Sequence, residues 1–369
     1  MRGNITKRGK NSWQLKFDVP NRDGKRQQRY ATAKGTYREA QKALTRLLGE
    51  ADKGTLPDPT RVTVAEYVRS WLASAHNVAP KTLERYGEIA ERQIIAHLGA
   101  EPLQKLKPEA ITDWHGELLD GGLSARSVGH AHRLLRLILA RALKNGTVAR
   151  NVAAIHSPPK VEEHEVAILP AEQIPAVLAA LDGHTLFPIV FLALTTGMRR
   201  GELLALQWGD VNLDGATLGV ERSVEETRAG LRVKPPKTKR GRRSISLPAE
   251  AVVMLRNHKV AQMETRFALG MGKPDETTLV FSKIEGGIIS PHSVSRSWRA
   301  VCLRRRLPRV PFHALRHTHV SILISKGVDI LTISRRLGHS KASVTLDVYG
   351  HLIGGADEAA ALAIEGVLK

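Results

Sequence analysis

Residues 313–318 read His-Ala-Leu-Arg-His-Thr, and residues 337–351 begin Leu-Gly-His-Ser and end Val-Tyr-Gly-His. These stretches place His313, Arg316, His339 and Tyr349 at the spacing H-x2-R-x22-H-x9-Y. A guanidinium can hold an anion through two parallel hydrogen bonds, and an imidazole can transfer protons near neutral pH. A phenol becomes a useful nucleophile once a neighbouring group takes its proton. These residue types are therefore candidates for a reactive site in the last part of the chain.

Two further segments lie upstream in the same part of the chain. Residues 195–203 read Thr-Thr-Gly-Met-Arg-Arg-Gly-Glu-Leu, and residues 236–240 read Pro-Lys-Thr-Lys-Arg, just before the strand-like residues 243–247. Each segment alone is a weak signal, but all four in this order resemble the active-site boxes of phage-type tyrosine recombinases (integrases). The resemblance covers about half of the chain. It implies a multidomain, mainly α fold with small β-sheets and a mixed α+β catalytic domain.

The resemblance also implies which residues carry the reaction. Tyr349 would attack the scissile DNA phosphate and form a 3′-phosphotyrosyl link with a free 5′-hydroxyl, so neither a cofactor nor a metal is expected. The other implied site residues are Arg199 and Arg316 on the phosphate, His313 and His339 as assisting histidines, Lys237 as general acid and Glu202 as an orienting residue. Lys234 and Lys239 stay open as alternatives to Lys237, because they lie close to it in sequence.

The chemistry of these residue types agrees with the implied roles. A phosphodiester under attack gathers negative charge on its non-bridging oxygens, which guanidiniums such as Arg199 and Arg316 can stabilise. The ordinary pKa of tyrosine is about 10, so about one molecule in a thousand is phenolate at neutral pH. Tyr349 therefore needs positive surroundings and a proton acceptor. The leaving 5′-oxygen needs a proton, which a lysine such as Lys237 can donate.

The length of 369 residues and changes of pattern along the chain predict three domains. Residues 165–369 mix helical segments with turn signals at Asp214-Gly215 and Ala229-Gly230, as a mixed α+β catalytic domain would. Its alanine-rich tail helix, residues 357–369, is predicted to dock on a neighbouring protomer, against the alternative that it caps its own domain. Residues 61–155 are helical in pattern and predict an all-α domain, which the resemblance implies is the core-site DNA-binding domain.

Residues 1–58 are predicted to form a small β-sheet with one helix. Residues 13–17 alternate apolar and polar side chains, Asp23-Gly24 marks a turn, and residues 26–32 supply the returning strand. Thr36 is expected to cap a helix that ends at Leu48. Residues 1–60 hold 14 Lys and Arg against six Asp and Glu, which indicates a DNA-binding module rather than a merely solvated basic sheet. The resemblance implies that this domain binds arm-type DNA sites. Candidate DNA-contacting side chains here and in the helical domain are Lys7, Arg8, Lys10, Lys16, Arg22, Lys25, Arg26, Arg29, Lys81, Arg126 and Arg133.

The whole chain is strongly basic, with 56 Lys and Arg against 36 Asp and Glu and an isoelectric point near 10.3. Such an excess predicts a polyanionic partner, either nucleic acid or an acidic membrane surface. No apolar run approaches the roughly 20 residues of a spanning helix, and the N-terminus lacks the apolar core of a secretion signal. The single cysteine, Cys302, fits a reducing compartment. We therefore expect a cytoplasmic protein that binds double-stranded DNA.

The resemblance further implies that four protomers pair two DNA sites and exchange strands through a Holliday junction. A host DNA-bending protein and an excisionase are candidate additional partners. Two other classes stay open: a non-catalytic regulator or architectural DNA-binding protein, and another tyrosine-based DNA breaker such as a type IB topoisomerase or a telomere resolvase. A zinc site built from His313, His317 and His319 is a weaker alternative, because no thiolate joins these histidines.

Overall fold

The computed structural model describes residues 3–20, 26–52, 56–162, 166–236 and 239–350, together with positions 364, 365 and 368. By backbone proximity the chain divides into two compact units, Met1–Glu162 and Glu163–Lys369. In their described residues, both units are rich in helices, and all of their sheets are small and antiparallel. The predicted mainly α fold class is therefore confirmed. The division into three domains stays a prediction.

The first unit begins with an antiparallel sheet of three strands in the order β1-β2-β3, covered by helix α1. Their bounds are β1 (Gly3–Gly9), β2 (Ser12–Pro20), β3 (Arg26–Lys34) and α1 (Tyr37–Asp52). The structure confirms the predicted strands β2 and β3, whereas the sequence did not predict β1. The predicted turn at Asp23-Gly24 lies outside the described residues.

Helix α1 extends beyond its predicted end at Leu48. Thr36 caps it as expected: Glu39 N–H donates to Thr36 Oγ1 at 3.3 Å, and Thr36 N–H donates to Glu39 Oε2 at 2.7 Å. The helix continues through Gly49 because Ala51 packs in a small buried cluster with Phe17. Tertiary packing here outweighs the weak helix propensity of glycine.

The rest of the first unit is helical and has its own apolar core. Its elements are α2 (Val64–Ala73), α3 (Pro80–Ile89), a π-helical segment (Ala90–Ile95), α4 (Ala96–Leu98), α5 (Pro108–Asp120) and α6 (Ala125–Lys144). The predicted capping box is present, since Thr63 and Glu66 exchange hydrogen bonds at the start of α2. Helix α6 buries Val128, Leu135 and Ile138 fully, which confirms its predicted apolar face.

The second unit combines eight helices with two small antiparallel sheets in its described residues. The strands are β4 (Val211–Asn212), β5 (Thr217–Val220), β6 (Ser223–Thr227), β7 (Gly230–Lys234) and β8 (Arg243–Ser246), in the sheets β4-β5-β8 and β6-β7. The helices are α7 (Ile174–Ala180), α8 (Phe187–Thr196), α9 (Arg200–Leu203), α10 (Ala249–Ala268), α11 (Pro291–Arg304), α12 (Ala314–Ser325), α13 (Ile330–Leu337) and α14 (Ser343–Tyr349). Both predicted hairpin turns are confirmed.

Two apolar clusters organise the second unit. The larger one joins α8, α10 and α11 to the sheets through residues such as Leu192, Trp298 and Ile245. The smaller one consists of Val320 from α12, Ile333 and Leu337 from α13, and Tyr349 from α14. The sequence did not predict α13 and α14, which are only 8 and 7 residues long.

None of the described helices is long and apolar enough to cross a membrane. The predicted tail helix, residues 357–369, lies outside the described residues except at positions 364, 365 and 368. Docking of this tail on a neighbouring protomer stays a prediction.

Candidate active site

The predicted site residues meet at the C-terminal end of α13. The helix ends at Leu337, and Gly338 turns the chain away with a left-handed φ of 68°. The last carbonyl groups of a helix lack partners within it and carry partial negative charge. Guanidiniums supply those partners here: Arg243 Nε donates to Arg336 O at 2.6 Å, and Arg316 Nη2 donates to Leu337 O at 2.9 Å. The end of α13 therefore gathers arginine side chains in one place.

Arg316 lies in the first turn of α12 and is only 4% exposed. Its Nη1 donates to Gly197 O at 2.6 Å, so this side chain joins the end of α8 to the end of α13. Gly197 has a left-handed φ of 65°, and a Cβ there would lie 2.6 Å from the ring of His319. Glycine is therefore required where α8 approaches the site. Burial lowers the pKa of Arg316 to about 9, which still leaves a cation at neutral pH.

Glu202 is the carboxylate that balances part of this charge. Arg199 Nη1 donates to Glu202 Oε1 at 2.9 Å, and the Arg199 backbone N–H donates to Oε2 at 2.9 Å. Arg243 Nη2 donates to Glu202 Oε2 at 2.8 Å. Burial alone would raise the pKa of Glu202, but Arg243 and Arg199 hold this pKa below its ordinary value. An ionised Glu202 thus fixes both guanidiniums.

The cluster carries an excess of positive charge. In the described part of the site, the guanidiniums of Arg199, Arg243 and Arg316 surround the single carboxylate of Glu202. Arg199 Nη1 approaches Leu337 O at 3.5 Å, the same carbonyl that Arg316 contacts, so these two guanidiniums converge. The Arg199 side chain is 41% exposed, whereas that of Arg243 is 6% exposed. This arrangement suits an anion that reaches Arg199 from solvent.

His339 lies two residues after the end of α13, and its hydrogen bonds define which ring nitrogen carries the proton. Arg316 Nη2 donates to His339 Nε2 at 3.0 Å, so Nε2 is the acceptor. Nδ1 therefore carries the proton and donates to Thr345 Oγ1 at 2.8 Å. Burial, with added repulsion from Arg316 and Arg199, lowers the pKa of His339 to about 4. The ring is neutral at pH 7 and held between α12 and α14.

Tyr349 lies one helical turn after Thr345, on the same face of α14. It is 2% exposed and packs in the small core of α12, α13 and α14. Its hydroxyl oxygen lies 2.5 Å from His317 Nδ1, and the two ring centroids are 5.6 Å apart. Burial raises the pKa of Tyr349 to about 12, although the charge of Arg316 opposes this shift. The phenol therefore needs a proton acceptor even more than its ordinary pKa would require.

The other two histidines near α12 have different surroundings. His313 precedes the helix on the surface, and its ring stands perpendicular to that of His317 with centroids 4.9 Å apart. Partial desolvation, followed by His317 and nearby arginines, lowers the pKa of His313 to about 4. His319 accepts a hydrogen bond from Arg336 Nε at 3.1 Å and donates from Nδ1 to Leu194 O at 2.7 Å. Both nitrogens of His319 are thus engaged between α8 and α13, away from His313 and His317.

The structure brings most of the predicted site residues together. Hydrogen bonds connect Arg199 to Glu202 and Arg316 to His339, and Tyr349 joins the group through α14 and His317. Lys237, the predicted general acid, lies outside the described residues, as does the side chain of Lys239. The remaining alternative, Lys234, forms an ion pair with Glu225 across the β6–β7 hairpin.

Three residues of the cluster were missed from the sequence. Arg243 lies in a run of basic residues that looks solvent-exposed, but strand β8 directs its side chain inward, where it is 6% exposed. Thr345 precedes Tyr349 by four residues, which is helical spacing, yet α14 itself was not predicted. His317 stands beside Arg316 in the quoted segment but was considered only as a zinc ligand. Its position one turn after His313 was the available signal.

The candidate DNA-contacting residues lie in the first unit and differ in their surroundings. Arg29 is 12% exposed in its side chain, pairs with Asp58 and donates to Pro57 O at 3.0 Å. Lys10, Lys81, Arg126 and Arg133 are exposed. The exposed Arg8 donates to the side chain of Gln14, Lys16 is half-buried, and Lys7 lies 5.8 Å from the ring centroid of Trp13. Arg22, Lys25 and the side chain of Arg26 lie outside the described residues.

A basic surface in the helical part is supported by electrostatics. Partial desolvation and the charges of Arg133, Arg85 and Arg126 lower the pKa of His130. These four residues lie on the adjacent helices α3 and α6, and all three arginines are more accessible than the core residues of the same helices. We call this set, Arg85, Arg126, His130 and Arg133, the α3–α6 basic surface.

Comparison with known proteins gives concordant results for sequence and fold. The phage integrase family matches residues 168–353, and the phage integrase N-terminal SAM-like domain matches residues 63–119. An integrase of Streptomyces ambofaciens is 32% identical over 354 residues, which cover 90% of this chain and 88% of the relative.

Two solved structures share the fold at low sequence identity. The Tn1549 transposon integrase in complex with transposon right end DNA superposes with a TM-score of 0.71 at 20% identity, covering 83% of this chain and 100% of that chain. A lambda integrase tetramer bound to a Holliday junction gives a TM-score of 0.55 at 20% identity, covering 92% and 93% of the two chains.

Proposed function

The chain belongs to the phage integrase family, and from this premise we propose that it cuts DNA by attack of Tyr349 on a phosphodiester held by Arg199 and Arg316. The protein is a tyrosine site-specific recombinase, an integrase. The observation that supports the residue assignment is the convergence of Arg199 and Arg316 on one carbonyl, Leu337 O, beside the helix that carries Tyr349.

The excess positive charge defines the role of the two arginines. Negative charge accumulates on the non-bridging phosphate oxygens during attack, and preorganised donors are worth about 10²–10³ in rate each. Arg199 is held by Glu202, and Arg316 by two backbone carbonyls, so neither guanidinium needs to reorganise when the substrate binds. The N–H groups of Arg199 and Arg316 that now point at Leu337 O would donate to the phosphate oxygens.

The cleavage step exchanges one phosphodiester for another. The Tyr349 oxygen forms a bond to phosphorus, the bond from phosphorus to the 5′-oxygen breaks, and the tyrosine becomes linked to the 3′-phosphate. Tyr349 is 2% exposed in the free chain, so the side chains that cover it must move aside for the phosphate to reach the hydroxyl. Rejoining is the same exchange with a 5′-hydroxyl as the attacking group, so the energy of the broken bond is retained.

The leaving 5′-oxygen needs a proton, and Lys237 is our candidate donor. In sequence it falls between β7 and β8, and β8 carries Arg243 into the cluster. Lys234 is already paired with Glu225, which favours Lys237 over this alternative. His313 and His339 would assist at the phosphate, since His339 already contacts Arg316.

The partner of this site is double-stranded DNA. The α3–α6 basic surface would contact the core site, and the basic sheet of residues 1–58 would contact arm-type sites through side chains such as Lys7, Lys10 and Lys16. Four protomers would assemble on paired sites, as in the lambda integrase tetramer on a Holliday junction. A host DNA-bending protein and an excisionase stay candidate further partners.

The test is a covalent trapping experiment. The attachment site would be sought beside the gene and synthesised with a nick near the cleavage point. Cleavage then releases a short fragment that carries the 5′-hydroxyl. Once this fragment has diffused away, rejoining is impossible and the covalent intermediate accumulates. We expect a phosphopeptide that carries DNA on Tyr349, detected by mass spectrometry without added metal or ATP. A site that is bound without any adduct would instead support a non-catalytic DNA-binding protein. Equal cleavage of duplexes that lack the site would support a topoisomerase.

A further inference from the structure

Among the described residues, the Tyr349 hydroxyl makes its hydrogen bond to His317, a side chain that the roles above leave unassigned. The 2.5 Å separation between Tyr349 Oη and His317 Nδ1 is that of a short, direct hydrogen bond. His317 lies one residue after the buried Arg316, which fixes this part of α12 through two backbone carbonyls. The imidazole is therefore held at the atom that must lose a proton.

We propose that His317 is the general base that takes the proton of Tyr349 during DNA cleavage. The assignment rests on the proposed function and deepens it. In the cleavage step the proton passes from Tyr349 Oη to His317 Nδ1, the oxygen bonds to phosphorus, and the 5′-oxygen leaves with a proton from the general acid. In the rejoining step the proton returns from His317 to the departing tyrosine oxygen, so the base is regenerated.

The surroundings of His317 keep it able to accept a proton. The titratable and charged groups that face it are Tyr349 from α14 and, from its own segment, His313 and Arg316. Arg336 of α13 is directed to His319 instead, and α8 contains no charged residue. Burial, with repulsion from Arg316, lowers the pKa of His317 below its ordinary value of 6.5. The ring is therefore neutral at pH 7, as a base must be.

The geometry favours His317 over the other two histidines of the cluster. His339 has both nitrogens engaged, one accepting from Arg316 and one donating to Thr345. His313 contacts the ring of His317 edge to face, which places it one side chain further from the phenol. His313 thus supports the orientation of the His317 ring and remains available to the phosphate.

Two substitutions separate proton transfer from mere positioning. His317→Asn places an amide near the former Nδ1 and so keeps a hydrogen bond to Tyr349, but an amide does not take up a proton at neutral pH. His317→Ala removes both the bond and the base. We expect both variants to bind the nicked site normally and to form the covalent adduct about 10²–10⁴-fold more slowly, the usual range for general catalysis. His292→Asn, an exposed histidine of α11, is the matched control and should cleave at the wild-type rate.

A modified substrate separates the base from the general acid. With a bridging sulfur in place of the 5′-oxygen, the leaving group departs without protonation, so this substrate should restore the Lys237→Ala variant. It should leave the defect of His317→Asn in place. The wild-type cleavage rate should also fall as the pH drops through the lowered pKa of His317, because the protonated ring no longer accepts the tyrosine proton. The His317→Asn variant should lose this dependence on His317.

The outcomes are distinguishable. Wild-type cleavage by His317→Asn would mean that His317 only positions Tyr349, and faster cleavage by His317→Ala would mean that the contact holds the tyrosine inactive. Restoration of His317→Asn by the sulfur substrate would place His317 on the leaving-group side. Each of these results overturns the proposal while leaving Tyr349 as the nucleophile. Absence of a Tyr349 adduct in the wild-type protein would instead contradict the proposed function itself.

Discussion

Helices α6 and α12 are both central to their units, but their buried faces differ in kind. Helix α6 buries apolar residues such as Leu135 and Ile138 at helical spacing, and its arginines are exposed. Helix α12 buries Arg316, Thr318 and His319 among its apolar residues. The hydrophobic pattern alone would predict α6 as a core helix, whereas α12 has to be explained by the partners of its polar groups.

Those partners show what the polar interior of α12 is for. A buried charge is costly unless it is paired, and replacing buried ion pairs by apolar residues often stabilises a protein. Arg316 is 4% exposed, yet its donors go to backbone carbonyls and to His339, with no carboxylate among them. An arginine kept buried without a carboxylate partner is better suited to binding an anion than to stabilising the fold. The buried His132 of α6 pairs with His115 and lies far in sequence from any such arginine-rich helix end.

The largest effect is expected from Tyr349→Phe, which tests whether α12 and α14 form a reactive site or only a core. The phenyl ring keeps its packing against Val320 and Leu337, but the nucleophilic oxygen is gone. Covalent adducts should be undetectable, whereas binding of the nicked site should stay within a few-fold of wild type, and the lost hydrogen bond to His317 should cost about 1 kcal/mol of stability. Trapping, binding and thermal unfolding would be measured on one preparation. Loss of binding together with cleavage would mean that Tyr349 is structural.

The second prediction concerns Arg316→Lys, which keeps the charge but removes the fork of donors. An ammonium is a point charge and cannot reach Gly197 O, Leu337 O and His339 Nε2 together. We expect cleavage to slow about 10²–10³-fold. We also expect a loss of about 1–3 kcal/mol in the free energy of unfolding for a carbonyl left without a partner.

Arg304→Lys, at the exposed end of α11, is the control for the second prediction and should change neither quantity. Kinetics of trapping and chemical denaturation would be compared for the two variants. If Arg316→Lys cleaved normally, the buried guanidinium would have only a structural role. The buried faces of α6 and α12 would then no longer differ in function.

The same contrast explains what could be predicted from the sequence. The sequence pattern alone was sufficient to predict α6 and the capped start of α2 at Thr63, because apolar spacing and helix capping depend on residues close together in sequence. The site residues were predicted by resemblance to a family, since neither helical spacing nor composition distinguishes a buried Arg316 from a surface one. Arg243 and His317 were missed because their roles depend on partners far away in sequence: Arg336 lies 93 residues from Arg243, and Tyr349 lies 32 residues from His317.

The third prediction uses Leu135→Ala to test whether the apolar buried face of α6 contributes to stability alone. Leu135 is fully buried, so its truncation leaves a cavity and should cost about 2–5 kcal/mol of stability. Leu137→Ala on the same helix is the control, because Leu137 is 46% exposed and should cost much less. At a temperature where both variants are folded, the rate of adduct formation per bound complex should equal that of wild type. A specific loss of cleavage in Leu135→Ala would show that α6 takes part in chemistry.

The smallest effect is expected on the charged face of α6. Arg126 and Arg133 are seven residues apart, which places them on one side of the helix and next to Arg85 of α3. If the α3–α6 basic surface contacts DNA phosphates, each of Arg126→Ala and Arg133→Ala should reduce affinity a few-fold. Each should also lower the slope of log K against log salt by about 0.9 per lost contact. Arg136, which lies about 60° from Arg133 and about 80° from Arg126 round the helix, should change the slope less when replaced by alanine.

Cleavage per bound complex should stay unchanged in all three arginine variants, because these guanidiniums belong to α6 of the first unit, whereas the proposed site residues all belong to the second unit. Affinity titrations at several salt concentrations, paired with trapping at saturating protein, would measure both quantities. An unchanged salt slope in Arg126→Ala and Arg133→Ala would mean that the exposed charges of α6 are merely solvated. A changed slope with unchanged cleavage would assign DNA binding to the surface of α6 and chemistry to the interior of α12.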